Sequence, residues 1–422
     1  MARLTAHRAT WLVILALALA VRLGAGAWWQ ARIPPGQQFF FGDSLSYWTL
    51  GREIARGEPY TYPTPEDRVF RTPGYPLLLA PLFLLLGDEP AVMTARVLSA
   101  VLSTATVGAL GWWATRLFDV RAGYAAGWIA AVYPGAVSMG AFVLSEAPFC
   151  LFMVLHLALW GLAWRSHGAK PALALAMGAG VAAALATLMR PSWLLFLPFA
   201  LVVGLAIDRQ RRRQLLVGAA MCASFAVCMA PWWIRNAHVT GHFVATSLQV
   251  GASLYDGWNP AADGSSNLSF VTDFATAERA TPTNDSDPFE YRLDRRMQRA
   301  AVEWAAEHPA QAAQLALIKF VRLWNVWPNE PSLRSWPLRL VVLMTYVPLL
   351  TLGLIGVWRY TSHGWPYVLA WLPAVYFTLL HTVFVSSIRY REPAMLALVV
   401  LAAAVLVKAA PRGGAAPQPD GS

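Results

Sequence analysis

Long apolar stretches separated by short polar ones dominate the pattern of this chain. A helix that crosses a bilayer needs about 20 predominantly apolar residues, and the pattern recurs along the whole sequence, so the first stretch is expected to be a span and not merely a cleaved signal. The pattern predicts an all-α polytopic membrane protein with about ten transmembrane helices. The predicted spans cover residues 11–29, 92–118, 122–139, 147–164, 171–188, 193–207, 215–234, 338–358, 365–385 and 393–406.

Two further apolar stretches, 75–86 and 309–327, are predicted to be interfacial helices. The first is too short for a straight span and contains two prolines. The second is interrupted by Lys319 and Arg322, whose long side chains are expected to reach water from a helix that lies flat on the membrane. The first of these helices then belongs to a loop between spans.

Arginine and lysine residues concentrate in the short connections on one side of this arrangement, most densely at 209–213. Because cytoplasmic loops carry an excess of these residues, that side is predicted to be cytoplasmic, with both termini on it. The first outer loop (30–91), a turn at 140–146 and the long loop 235–336 then lie outside. The same distribution explains the formal net charge of +10, so nucleic-acid binding is not expected.

Four parts follow from this pattern. Residues 1–234 form a transmembrane module with the first outer loop, and 337–409 hold the C-terminal transmembrane helices. The polar loop 235–336 is expected to pack on the membrane part, and apolar positions at helical spacing predict a helix over 287–308. The tail 410–422 is rich in Gly, Ala and Pro and is predicted to be a disordered cytoplasmic segment.

Composition supports a membrane protein and gives no cofactor signal. Of 422 residues, 57% are hydrophobic and 13% charged, which exceeds the apolar content of soluble domains. Arginine outnumbers lysine and alanine is abundant, which favours a GC-rich bacterial genome and hence the bacterial plasma membrane. The cysteines lie inside apolar stretches, and His238 and His242 lack a carboxylate that the sequence can place, so no metal site is predicted, although a divalent metal stays open.

Two acidic residues lie where predicted spans meet the outer surface. Asp43 precedes a helical segment of the first outer loop, and Glu146 lies where the third span returns into the fourth. Asp at such a position is a good helix N-cap, so the capping and catalytic interpretations of Asp43 stand about even. Glu146 can equally belong to the first turn of a helix, although acids at membrane depth are functional candidates by default.

Five arginines are predicted on the outer side, against the usual orientation bias. Each one alone can serve as an interfacial anchor whose side chain reaches water. As a group they are better explained by phosphate binding or by pairing with acids. These candidates are Arg71, Arg190, Arg235, Arg389 and Arg391.

A series of motifs follows in order along the chain: GDSLSYW, RTPGYPLLLAPLFLLLG, RLFDVRAG, LSEAPF, LMRPSWLLFLPF, PWWIRN and RYREP. In this order and spacing the chain resembles the GT-C superfamily of membrane glycosyltransferases, more narrowly the bacterial relatives of protein O-mannosyltransferases and of the lipid A aminoarabinose transferase. The resemblance covers about residues 12–406 and implies transfer of a sugar from a polyprenyl-phosphate carrier to an acceptor at the outer face, usually with inversion.

The resemblance also implies roles for individual residues. Asp43 matches the acid of the first loop that acts on the acceptor, and Glu146 matches the acidic residue of the second outer turn. In protein mannosyltransferases a second acid directly follows the first, whereas Ser44 follows here, which puts a protein acceptor in doubt. The expected partners are a polyprenyl-phosphate-linked sugar donor, a lipid, glycan or protein acceptor, and membrane lipids.

Elementary chemistry agrees with these roles. A polyprenyl phosphate joins an anionic head to an apolar tail, so its site needs interfacial arginines beside an apolar groove, for which helix 75–86 is predicted to form a wall. Asp43 would take the proton of the acceptor hydroxyl, and the arginines would stabilise the leaving phosphate. Two alternatives stay open: an oligosaccharide polymerase or ligase with the same carrier, and a transporter or flippase of lipid-linked or anionic solutes, which would need ionisable residues near the bilayer midplane.

Overall fold

The computed structural model describes residues 2–281, 287–327 and 335–412, and over these residues it is helical without a β-strand. This confirms the predicted fold class. The predicted disordered tail lies outside the described residues from position 413 onward. The helices are α1 (Ala2–Gln30), α2 (Gly42–Arg56), α3 (Gly74–Leu86), α4 (Val92–Leu117), α5 (Val120–Val132), α6 (Pro134–Ala141), α7 (Glu146–Arg165), α8 (Ala169–Met189), α9 (Phe196–Ile207), α10 (Arg211–Thr240), α11 (Val250–Gly257), α12 (Phe270–Ala280), α13 (Phe289–Glu307), α14 (Pro309–Trp324), α15 (Trp336–Tyr360), α16 (Trp365–Val368), α17 (Leu372–Val383) and α18 (Ile388–Leu406).

Several of these helices can cross a membrane. Large apolar side chains such as Leu12, Val227 and Trp358 lie exposed on their surfaces, where lipid can cover them. The protein is therefore membrane-embedded, and the figure of ten spans stays a prediction. Among the described residues, six helical segments are long and apolar enough by length and composition: His7–Gln30, Val92–Leu117, Glu146–Arg165, Ala169–Met189, Arg211–Thr240 and Trp336–His363.

The predicted span 122–139 is not one continuous helix. It is divided into α5 and α6 at Pro134, which has no N–H to donate to the carbonyl of Ala130. The guanidinium of Arg22 from α1 donates the missing hydrogen bonds instead. Its Nη2 lies 2.9 Å from the Ala130 carbonyl oxygen, and its Nη1 lies 3.0 Å from the Ala131 carbonyl oxygen. A buried arginine thus satisfies the backbone groups that the break leaves free.

The predicted span 365–385 is divided as well, into α16 and α17. Pro373 lies in the first turn of α17, where its missing N–H leaves no helical hydrogen bond unmade. Both α17 and α9 contain 12 residues and so rise about 18 Å, less than the roughly 30 Å of a hydrocarbon core. Neither helix crosses a bilayer alone.

The long helices alternate in direction, which sorts the connections to two ends of the bundle. At one end, which we call the basic end, the Arg412 N–H donates to the Leu117 carbonyl over 3.0 Å and Arg165 donates to the Arg116 carbonyl over 3.2 Å. The other end, which we call the loop end, carries α2, α3 and α11 to α14. That the loop end faces the cell exterior stays a prediction.

The loop between α10 and α15 contacts the first outer loop directly. The carboxylate of Glu290 accepts the backbone N–H groups of Arg68 and Val69 at 2.8 and 2.9 Å. A backbone–backbone hydrogen bond also joins the Leu248 N–H to the Val69 carbonyl. Glu290 belongs to α13, which confirms the helix predicted from the spacing over 287–308.

Lys319 does not reach water as its interfacial assignment predicts. Its side chain is 0% exposed, and Nζ donates to the Val383 carbonyl oxygen over 2.6 Å. The physical reason is that α14 packs against α17, whose last carbonyl groups have no partner within their own helix. Whether α14 and α3 lie in a membrane interface stays a prediction.

Candidate active site

Asp43 lies in the first turn of α2 and pairs with two arginines. Its Oδ1 lies 2.6 Å from Nη2 of Arg71, and its Oδ2 lies 3.3 Å from Nη2 of Arg389. The N-cap of α2 is Phe41, and no side chain makes a capping hydrogen bond there. The carboxylate of Asp43 is therefore engaged by cations and not by the helix terminus.

Glu146 is the first residue of α7 and is also held by two arginines. Its Oε1 lies 2.5 Å from Nη1 of Arg190 and 2.5 Å from Nε of Arg389. The side chain is 2% exposed, and its other oxygen, Oε2, has no hydrogen-bond partner in the described part of the chain. The N-cap of α7, Ser145, makes no side-chain capping bond.

Arg389 joins both acids into one group of five side chains, which we call the site cluster: Arg71, Asp43, Arg389, Glu146 and Arg190. Three cations and two anions leave a formal charge of +1. Partly buried ions at such distances form charge-assisted hydrogen bonds, and the surplus cation favours a further anion such as a phosphate. The structure thus brings both predicted acids and three of the five predicted arginines together.

Two residues that the sequence analysis did not single out orient Arg71. Its Nε donates to Ser46 Oγ over 3.1 Å, and its Nη1 donates to Gln249 Oε1 over 2.9 Å. Ser46 follows Asp43 by three residues, so helical spacing in GDSLSYW could have indicated it. Gln249 lies far away in the sequence and has no local signal. Together they hold the planar guanidinium in one orientation toward Asp43.

Arg235 and Arg391 are not brought into the site cluster. Arg235 donates to the Arg68 carbonyl over 3.0 Å, and its guanidinium lies over the Trp232 ring. Arg391 is 1% exposed and donates to the Leu323 carbonyl over 3.2 Å. Both side chains satisfy backbone carbonyls that would otherwise lack donors, which a sequence pattern cannot distinguish from phosphate binding.

Asp43 is strongly ionised in this setting. Burial by itself raises the pKa of the carboxyl, but the charges of Arg71 and Arg389 together outweigh burial and lower the pKa of Asp43 to about 2. The side chain keeps 38% of its surface exposed, so it stays accessible from water. While both arginines hold it, Asp43 is an anion of low basicity.

A cavity of about 840 Å³ adjoins the site cluster at the loop end. Glu146 and Arg389 line it, whereas Asp43, Arg71 and Arg190 do not. Most of its walls are apolar, which suits a hydrocarbon chain next to a charged group. Its apolar lining includes Trp28, Trp29, Phe142, Leu338, Val342 and Ile388.

The described residues show no group of three or more His, Cys, Asp or Glu side chains that could hold a metal ion. His242 instead lies 2.7 Å from Asp287 and stacks on Tyr291. No residue of the site cluster is therefore assigned to a metal.

Comparisons with known proteins agree with this architecture. Residues 71–234 match the family described as dolichyl-phosphate-mannose-protein mannosyltransferase. A search of curated proteins found no match.

Solved structures with a similar fold include the apo oligosaccharyltransferase of Archaeoglobus fulgidus, with a TM-score of 0.60, 13% sequence identity, and coverage of 95% of this chain and 50% of that one. The AglB oligosaccharyltransferase of the same organism, in complex with an inhibitory peptide and a dolichol-phosphate, gives a TM-score of 0.55, 14% identity and coverage of 94% and 50%. ArnT from Cupriavidus metallidurans bound to undecaprenyl phosphate matches more weakly, with a TM-score of 0.46, 16% sequence identity, and coverage of 94% of this chain and 77% of that one.

At these identities a structural match shows a shared fold alone, and this chain spans about half the length of the archaeal enzymes. The resemblance inferred from the sequence motifs is confirmed at the level of the superfamily. The family match over residues 71–234, which is less than half of the chain, and the fold shared over most of the chain both support the GT-C superfamily of membrane glycosyltransferases.

Proposed function

We propose that this protein transfers a sugar from a polyprenyl-phosphate carrier to an acceptor hydroxyl at the extracytoplasmic membrane face, with inversion and with Asp43 as the general base. The observation that carries the proposal is the site cluster, in which Arg389 joins a water-accessible acid to a buried acid beside an apolar cavity. Fold-level similarity supports a sugar transferase but does not by itself assign the chemistry.

The donor fits the cavity side of the cluster. Its apolar tail would lie along the cavity walls, and its phosphate would meet Arg389, which lines the cavity and belongs to a cluster with a surplus positive charge. A guanidinium presents several fixed N–H donors that match phosphate oxygens. The archaeal AglB structure contains a dolichol-phosphate, which agrees with a polyprenyl-phosphate ligand for this fold.

The acceptor fits the other side. Asp43 is 38% exposed and does not line the cavity, whereas Glu146 is 2% exposed and does. An acceptor hydroxyl that arrives from water therefore meets Asp43 first, and this difference in accessibility favours Asp43 as the base. Glu146 is then the residue that positions Arg190 and Arg389 for the phosphate.

The reaction is one displacement. The acceptor oxygen forms a bond to the anomeric carbon while the bond between that carbon and the phosphate oxygen breaks, and the electron pair leaves with the polyprenyl phosphate. Asp43 takes the hydroxyl proton. Arginines aimed at the leaving phosphate stabilise its growing charge, and they act most strongly in a partly dehydrated site.

Donor binding would also raise the basicity of Asp43. Arg71 and Arg389 hold the pKa of this carboxyl at about 2, so it accepts a proton poorly while both pairs are intact. When Arg389 turns toward a phosphate, Asp43 loses one of its two cations, and its pKa moves back toward the ordinary range. The base is then activated only when the donor is present.

The direct test uses purified protein in lipid nanodiscs with undecaprenyl phosphates that carry radiolabelled single sugars. Wild type should release undecaprenyl phosphate and form a labelled product with a membrane extract as acceptor source, and the product anomer should be inverted. Retention of configuration would contradict a single displacement. Transfer only from donors that carry an oligosaccharide would favour the ligase alternative.

A labelling experiment tests the proposed face. A cysteine placed in the loop 261–269 should react with a membrane-impermeant maleimide in intact spheroplasts, whereas a cysteine at Gln210 should react only after permeabilisation. Both variants need a background in which the three natural cysteines are replaced. The opposite labelling pattern would place the site cluster in the cytoplasm and overturn the extracytoplasmic assignment.

A further inference from the structure

Glu392 is a buried acid that the proposed reaction leaves without a role. It is 7% exposed and lines the same cavity as Glu146 and Arg389. Its Oε1 lies 3.5 Å from Nε of Arg391, and the Tyr133 phenol also faces this carboxylate. Its Oε2 has no hydrogen-bond partner within the described residues.

An unpartnered carboxylate oxygen is costly inside a protein. A buried acceptor left without a donor lowers stability, and it does so more strongly when the group is charged. Because Glu392 borders the cavity, a ligand in the cavity can supply the missing donor. The space beside Oε2 also depends on a glycine, since a Cβ at Gly135 would lie 1.9 Å from that oxygen.

The position of Glu392 relates it to the donor phosphate. Arg389 and Glu392 are three residues apart on α18, so they lie on one helix face with Cβ atoms roughly 5 to 6 Å apart. A phosphate at Arg389 would therefore hold its attached sugar close to Glu392. Both residues border the cavity, and a small turn of the Glu392 carboxylate, whose Oε2 is covered and lies next to Gly135, would bring this oxygen to the same ligand.

We propose that Glu392 is a specificity-determining residue, whose free carboxylate oxygen accepts a hydrogen bond from a hydroxyl group of the donor sugar. The inference rests on the proposed function, because it assumes a sugar linked to a phosphate at Arg389. Glu392 takes no part in proton transfer. It recognises one hydroxyl, so it separates sugars that differ in the orientation of that hydroxyl.

The test measures the affinity of nanodisc-embedded protein for four probes: sugar-free undecaprenyl phosphate, and the same lipid linked to glucose, mannose or galactose. Wild type should bind one of the epimeric sugar lipids more tightly than the others and than the sugar-free lipid. Glu392→Ala should weaken binding of that sugar lipid about ten- to hundredfold, the usual cost of losing a hydrogen bond to a charged group. Binding of the sugar-free lipid should stay unchanged, and Glu392→Gln should recover part of the loss.

Two controls separate recognition from folding. Glu290→Ala removes a buried acid that does not line the cavity, so it should not alter the preference among sugars. Gly135→Ala keeps the charge of Glu392 but displaces its Oε2, so it should reproduce the loss for the preferred sugar lipid. If Glu392→Ala does not fold, the Gly135→Ala variant decides.

The outcomes distinguish this inference from the proposed function. An equal loss for sugar-free and sugar-linked lipids, or no loss for either, overturns the role of Glu392 while a polyprenyl-phosphate donor stands. Wild type that binds all four probes equally also overturns it. Wild type that binds no polyprenyl phosphate overturns the proposed function and this inference together.

Discussion

The first outer loop is held at two points by carboxylates of opposite character. At the site cluster, Asp43 pairs with the guanidinium groups of Arg71 and Arg389. At Val69, two residues before Arg71, Glu290 from α13 accepts the backbone N–H, and this carboxylate forms no ion pair among the described residues. A carboxylate thus holds this loop in both places, once through an ion pair with arginines and once through hydrogen bonds from backbone N–H groups.

The difference in partners sets the protonation of the two acids. The pKa of Asp43 is lowered to about 2, because its two arginines outweigh burial. Burial raises the pKa of Glu290 to about 7, and the two backbone N–H groups only partly oppose it. A side-chain cation can turn to another anion, whereas a backbone N–H cannot leave its loop. The comparison therefore separates an exchangeable pair, suited to catalysis, from a fixed one, suited to stability.

Asp43→Asn gives the largest expected effect. The amide keeps the size of the side chain but cannot take the acceptor proton, so turnover should fall about 100- to 10,000-fold. Donor binding should not weaken, because Arg389 loses a competing anion, and the melting temperature should fall only modestly, because two ion pairs are lost but no helix cap is. Transfer from a polyprenyl-phosphate sugar would be measured alongside the melting temperature of wild type and variant.

Glu146→Gln provides the comparison for that experiment. Because Glu146 positions arginines, its variant should weaken donor binding more than it slows the chemical step. Retention of more than about a tenth of wild-type turnover by Asp43→Asn would be too small a loss for a missing general base. In that case a large loss of turnover in Glu146→Gln would move the base to Glu146.

The second largest effect is expected from a comparison of two arginines on α18. Arg389 pairs with acids and can turn to a phosphate, whereas Arg391 is bound to backbone carbonyls. Arg389→Ala should weaken donor binding about ten- to hundredfold, because a charge-assisted contact to phosphate is worth about 1.5 to 3 kcal/mol. Arg391→Ala should leave donor affinity unchanged and lower the melting temperature, because it leaves the Leu323 carbonyl without its donor. Titration with undecaprenyl phosphate distinguishes the two variants. Equal losses of affinity in both would show that Arg389 has no special role in binding the phosphate.

The smallest effect is a pH dependence of stability at Glu290. Its pKa in the folded protein, about 7, lies above the ordinary value of 4.5, so the folded state binds the proton more tightly than the unfolded state. Stability from this group is full below about pH 4.5 and falls as the pH rises through about 7. Glu290→Gln should flatten the melting temperature over that window. Glu303→Gln, an exposed acid on the same helix, should leave the slope unchanged, and a wild-type slope in Glu290→Gln would contradict the assignment.

The sequence indicates which residues form the candidate site better than it indicates which of them contact one another. Asp43 and Glu146 both emerge from the sequence as candidates, because acids at the ends of apolar stretches are few and costly, and the structure brings both into the site cluster. The arginines were identified as a set, but nothing in their spacing separates Arg389, which joins two acids, from Arg391, two residues later and on another helix face. Lys319 shows the same limit, since an interfacial lysine and a buried one have the same neighbours in the sequence.

The sequence by itself determined that the chain is helical and membrane-embedded, since apolar stretches of sufficient length leave few other structures for the backbone in lipid. It also determined which residues can be ionised near the water boundary. Only the tertiary structure decided which charges meet. Asp43, Arg71 and Arg389 come from separate loops and helices, and their pairing depends on how the bundle brings the starts of α2, α7 and α18 to one end. Hydrophobic periodicity is local, whereas a salt bridge is set by distances between segments that the local pattern does not encode.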